Sequence, residues 1–294
     1  QWRALWRSRR GDRAGAAADA ERVLRLGDRM VREGGTTLLQ VLVGSAIVGI
    51  GWTMLETLGA EAPLDPELRD RLIARRALFD EHPDLFSRVL RYEFRFGANV
   101  FGALAAEEIA DEMFLTDAPF LSLWFKKNRS IRLLAEFYRD GMRRMEQPAH
   151  ARDPLDPRFE PQGALRRAIL SMNSGELLLA DLLIGLDSIM ERADRLRVLD
   201  TMSRWRLALL RHEQRHGALP DQLSILAEAN PELGPVPIDP FSGEPIGYDP
   251  TRRLLWSVGP DGIDQNAEDV ELRVEDRIPW YELSDFIIPI PAPR

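Results

Sequence analysis

The chain has no cysteine. This excludes disulfides, thiolate metal centres and a cysteine nucleophile, and it leaves the compartment open. No phosphate-cradling glycine loop occurs, no exact internal repeat, no low-complexity tract and no visible signal peptide. Initiating Met is also missing. The chain starts at Gln1, which suggests that an upstream segment, such as a membrane anchor, has been removed. Positive charge is in deficit: 39 Lys and Arg against 47 Asp and Glu give a net charge of -8 and a pI near 5.2. That balance argues against nucleic acid or an anionic membrane surface as the main partner. Basic residues do gather at Arg3, Arg7, Arg9 and Arg10, which reads as a solvated segment beside such an anchor.

What remains is globular in composition. The 294 residues, 45% apolar and 29% charged, suffice for one or two domains with a sizeable core. The first two-thirds reads as helical, with Val23, Leu24, Leu26, Met30 and Val31 at helical spacing before Gly34-Gly35. Next comes a stretch without charge, bounded by Glu33 and Glu56. It could cross a bilayer, for which about 20 apolar residues suffice. It also contains Gln40, Ser45, Gly44 and Gly49, and small residues permit close helix packing in protein as well as in lipid. We read 36–58 as a core helix, with a membrane span as the alternative.

Asp65-Pro66 opens another helix, with Asp65 as cap and Pro66 at its first position. His82-Pro83 breaks the chain, a long amphipathic run follows from Leu85 to Met113, and Asp117-Ala118-Pro119 turns. Phe94, Phe96 and Phe101 on that run read as core. A helix is expected over Ile131–Met145. Gln147–Pro161 carries four prolines and reads as a linker. Two helices are then expected, over Gly163–Leu186 and Asp187–His216. Asn173-Ser174-Gly175 reads as a helix break and Lys126-Lys127-Asn128-Arg129 as a surface turn. Phosphate binding at the helix start that follows this turn is conceivable. Between Pro220 and Pro250 there are seven prolines and three glycines, so turns dominate. Leu254–Val258 and Val270–Val274 have strand character, and the tail 286–294 should be extended.

Three C-terminal blocks carry a family signal. A helix ends in His212-Glu213-Gln214-Arg215-His216-Gly217, followed by Pro220 and Leu223. Then comes Asp239-Pro240-Phe241-Ser242-Gly243-Glu244-Pro245-Ile246-Gly247-Tyr248, and then Ser257-Val258-Gly259-Pro260-Asp261-Gly262. In order and spacing these resemble the globular head of type II secretion major pseudopilins, over about the last third of the chain. The resemblance implies a small α+β head with short antiparallel strands. It also implies a loop binding one calcium ion through Asp261, Glu268 and Asp269, with carbonyls at Val258 and Ile263 and Asn266 as a further ligand. Five oxygen-bearing side chains within nine residues suit calcium, which takes six to eight hard oxygen ligands. The alternative is a solvated acidic turn ordered by Asx hydrogen bonds. The family's leader and long N-terminal apolar helix are missing, and helical residues stand in their place. The chain therefore reads as a helical protein carrying such a head, and its first two-thirds resembles uncharacterised bacterial envelope proteins.

A rival chemistry is spelled by His212-Glu213-Gln214-Arg215-His216, an H-E-x-x-H pattern. Two histidines four apart on a helix could hold zinc, with Glu213 as general base and Glu228 or Glu232 as third ligand. Against it, Arg215 puts a charge inside the motif, Gly217 ends the helix at once, and His212 continues the stripe of Met202, Trp205 and Leu209. The expected fold is mostly α, with a helical domain over 1–150, a linker and connecting helix over 151–195, and an α+β head over 196–294. The expected function is that of a non-enzymatic, extracytoplasmic structural or interaction protein, with calcium as cofactor and a protein partner in the cell envelope. The alternatives are a zinc metallopeptidase and an integral membrane subunit anchored through 36–58.

Overall fold

The structure is a computed structural model that describes residues 2–33, 37–75, 84–103, 125–160, 162–268 and 285–292. It is mostly helical, with a small three-stranded antiparallel sheet. Gly34-Gly35, the break at His82-Pro83, the end of the run to Met113, the turn at Asp117-Ala118-Pro119, Asp269 and Val270–Val274 lie outside the described residues.

Capping side chains set the helix starts. Helix α1 spans Trp2–Arg9, and α2 spans Arg13–Arg32, opened by Asp12, whose carboxylate accepts from Gly15 N at 2.9 Å. Helix α3, Leu38–Glu61, is capped by Thr37. Helix α4, Pro66–Ala74, starts as expected, with Asp65 accepting from Leu68 N at 3.1 Å and Pro66 in the first turn. Helices α2 and α3 approach through glycine: a Cβ on Gly27 would stand 2.5 Å from Gly44 O and 2.7 Å from Val48 N. The small residues of the uncharged helix thus serve packing between two helices of this chain. Its window Leu38–Ala60 is long and apolar enough to cross a membrane and is 44% buried.

Helix α5, Leu85–Ala103, packs on α6, Lys127–Met145, which starts before the expected Ile131. Phe94 stands edge-on to Tyr138, whose own ring meets Phe137, and Phe101 is buried. Phe96 departs from expectation and is 61% exposed, because it lies on the face of α5 opposite that buried seam.

The two helices expected between 163 and 216 have their boundary elsewhere. Helix α7 is only Ala164–Ser171; Met172 turns left-handed at φ 48°, and α8 then runs unbroken over Gly175–His216. Nothing at 186/187 breaks it, since Leu186, Asp187 and Ser188 all tolerate helix and Leu186 fills the core. At about 1.5 Å per residue, α8 is a rod of roughly 63 Å, ended by Gly217 at φ 81°. Helix α9 spans Leu223–Ala229.

Strands β1 (Gly247–Asp249), β2 (Leu254–Ser257) and β3 (Phe286–Pro289) form a sheet of order β1-β2-β3. The extended tail is β3, with Leu255 paired to Ile288 and Ser257 to Phe286. One buried apolar cluster runs from Ala4, Leu24, Val48 and Trp52 through Met202, Trp205 and Leu209 to Leu255, Phe286 and Ile288. The boundary expected at 195/196 therefore falls inside α8, and the core passes across it. The proline-rich segment after α6 is docked as well: His150 N donates to Pro240 O at 2.8 Å.

Candidate calcium loop and paired histidines

The acidic loop leaves β2 and curls on itself. Asp261 accepts from Ile263 N at 3.1 Å and from the Gln265 side-chain amide at 3.0 Å. Asp264 accepts from Asn266 N at 2.8 Å and from Trp256 Nε1 at 3.0 Å. Asn266 and Ala267 both take positive φ, and their carbonyls are bonded by the Arg252 guanidinium at 2.6 and 2.8 Å. Of the expected calcium ligands, Val258 is buried, and its N–H donates to Asp239. Asp261, Ile263, Asn266 and Glu268 are exposed, and Asp269 lies outside the described residues. The donor chemistry fits calcium in one respect: Gln265 Oε1, a hard oxygen, is buried with no hydrogen-bond donor among the described residues. Among the described residues, no three His, Asp or Glu side chains are grouped as metal ligands.

Two aspartates hold this loop in place, and their roles had no signal in the sequence. Asp285 is fully buried and accepts from Ala267 N at 2.8 Å. Burial pushes its pKa up; the amides of Ala267 and Gln265 work the other way, while the nearby charges of Asp264 and Asp261 add to the rise. Asp239 is buried too, and its carboxylate joins Phe241 N at 3.0 Å to Val258 N at 2.8 Å, tying the Asp-Pro turn to the end of β2. The Asp-Pro pair marks the turn, but nothing local marks the 19-residue reach to Val258.

Glu213 sits at the other end of the head and is already engaged. Arg253, in the tight turn between β1 and β2 at φ 58°, grips its carboxylate with two bonds of 2.7 and 2.8 Å. The same guanidinium reaches Ile290 O at 2.9 Å and also Pro291 O. One arginine thus clamps the last turn of α8, a hairpin and the C-terminal tail, and the hydrogen bonds with Glu213 hold its own pKa above the usual value. Such bidentate pairs are the stronger, directional kind. Glu232 is held by Arg211 at 2.6 Å, which keeps it ionised below the ordinary glutamate range although burial pushes the other way. Glu228 is exposed.

His212 and His216 do share a helix face, with ring centroids 4.3 Å apart. Burial, and then the charge of His216, depress the His212 pKa below the ordinary histidine value. The folded protein therefore binds a proton there less readily than the unfolded chain. The resulting stability is fully present above about 6.5, the unfolded value, and is lost as pH falls through the depressed folded pKa. The melting temperature should fall between pH 7 and 5, and His212→Asn should flatten that limb of the curve. An unchanged slope in the variant would remove the assignment.

The chain matches no protein-family model, no curated protein and no solved structure. The functional reading accordingly stands on the residues themselves.

Proposed function

We propose that this is a non-enzymatic structural or interaction protein of the cell envelope, extracytoplasmic, with a pseudopilin-like head stiffened by one calcium ion and a protein partner. The observation that favours this reading over the metallopeptidase is the Glu213–Arg253 clamp. A general base needs to face a substrate, and both oxygens of this carboxylate are turned to Arg253 and hold the head together. Tyr248 works in the same sense, its hydroxyl donating to Pro220 O at 2.7 Å so that β1 is tied to the segment after α8. Its pKa is pushed up to about 12, chiefly by burial, so it remains a donor throughout the physiological range.

Calcium is supported by Gln265 Oε1, which has no donor among the described residues, on a side chain whose Nε2 donates to Asp261. Asp261, Gln265 and the proposed ligands Asn266, Glu268 and Asp269, with carbonyls of Val258 and Ile263, would hold it. Its role is to cross-link the loop and offset the mutual repulsion of the carboxylates. Elemental mass spectrometry of the purified protein should find one calcium per chain. A hundredfold excess over Kd should stabilise the fold by about 2.7 kcal/mol, and EGTA should reverse this. Stoichiometric zinc that is lost in His212→Ala, together with peptide hydrolysis abolished by Glu213→Gln, would replace this reading with the metallopeptidase.

A further inference from the structure

The N-terminus of α6 violates the usual charge order of a helix. Aligned peptide dipoles make a helix start positive, and acidic side chains are favoured there. Here the cap is Lys126, with no side-chain cap bond, and Lys127, Arg129 and Arg132 follow with no acidic residue in the first turn. The chain has lysine only at these two positions. All four cations are exposed. Elsewhere arginines meet carboxylates, as Arg3 and Arg22 meet Asp19, Arg71 meets Glu21 and Arg144 meets Asp187. Among the described residues, none of these four cations forms an ion pair. With Asn128 and Leu133 they line an open basin of about 680 Å³.

A second helix start converges on the same place. Asn173, fully buried, accepts from Lys126 N and from Ser130 Oγ, each at 3.0 Å, and so joins the first turn of α6 to the start of α8. Among the described residues its Nδ2 has no acceptor, and the Oγ of the neighbouring Ser174, also buried, has no partner. Buried polar atoms are nearly always satisfied, so these two donors add to the uncompensated positive polarity beneath the start of α6.

Apolar surface adjoins the charge. Lys126 Nζ donates to Ser171 O at 3.0 Å, so the end of α7 lies against the start of α6. Helix α7 and its cap expose Leu165, Ile169, Leu170 and Met172 to 57, 49, 73 and 54%, with Arg166 exposed beside them. Bare leucine and isoleucine rimmed by lysine and arginine are the composition of an interfacial membrane contact.

We propose that the starts of α6 and α8, together with α7, form a docking surface for an anionic lipid bilayer. Lys126, Lys127, Arg129 and Arg132 contact lipid phosphates, and Leu165, Ile169, Leu170 and Met172 enter the headgroup boundary. The occupant follows from charge complementarity: a chain of net charge -8 gathers at one apolar patch four cations that form no ion pair among the described residues. The surface is independent of the calcium head.

The test is co-sedimentation of the full chain with vesicles of phosphatidylcholine, alone or mixed with phosphatidylglycerol. Binding is expected to the mixed vesicles only and to weaken with salt. The triple variant Lys126→Gln, Lys127→Gln, Arg129→Gln should bind about a hundredfold more weakly, and Leu170→Ser about tenfold. Arg10→Gln, in the turn after α1, should change nothing. Circular dichroism checks that each variant folds; should the triple variant not fold, Leu170→Ser and the salt dependence of the unmodified protein still decide. Equal binding to both vesicle types, or binding indifferent to salt, overturns the proposal. So does full release by inorganic phosphate at matched phosphorus concentration, which would make the ligand a soluble phosphate. Sedimentation without vesicles would make the patch a contact between copies of this chain.

Discussion

Asp200→Ala should destabilise the protein by about 3–5 kcal/mol, the usual cost of breaking a buried ion pair by removing one partner. Asp200 on α8 is wholly inaccessible to solvent. It accepts from Trp52 Nε1 of α3 at 2.7 Å and from Arg75, just past α4, at 2.5 Å. Arg75 also grips Asp28 of α2 at 2.9 Å. Burial alone would lower the Arg75 pKa, and the charges of Asp200 and Asp28 more than offset it, so the guanidinium is held above its usual value. Taking Asp200 away leaves the indole N–H without its acceptor and the buried Arg75 held by Asp28 without its second carboxylate, at the junction of four helices. Chemical denaturation of the variant should show a midpoint shift with an unchanged slope. A loss below about 1 kcal/mol would mean that water reaches Arg75 and that the junction is not sealed.

Trp205→Ala is expected to cost a similar amount, about 3–5 kcal/mol for a large aromatic truncated in a core that cannot collapse. Trp205 is among the largest fully buried side chains, in the same cluster as Met202 and Leu209 of α8 and Leu233 and Ile246 of the head. Because that cluster also contains Leu24, Val48 and Trp52, the body and head should melt together in one transition, and the variant should move that whole transition. Two separated transitions, with only one of them shifted, would restore an independent head.

Local chemistry was readable wherever it is decided within a few residues. Asp65 and Pro66 start α4, Gly217 ends α8, and Asp239-Pro240 with Ser242-Gly243 makes a turn, all as their backbone preferences require. The mostly helical body followed by a small antiparallel sheet was legible too, because hydrophobic period and proline density differ sharply on either side of Pro220. Phe96 misled, since a helical stripe of aromatics does not reveal which of its edges is covered. The join at 186/187 misled because a long helix has no local mark of continuity, whereas the break read at Asn173-Ser174-Gly175 does lie where α7 gives way to α8.

By itself, then, the sequence determined the start of α4, the end of α8, the turn-rich C-terminal third and the acidic loop, because caps, prolines and glycines act over three or four residues of chain. Tertiary structure alone decided what those pieces are for. It set Glu213 against Arg253, buried Asp285 beneath the loop, spent Gly44 and Gly51 of α3 on α2, and drew two helix starts together around Asn173 under a cluster of cations. Each of these is a pairing across tens of residues. Burial and charge there depend on which surfaces meet, and no local propensity encodes that.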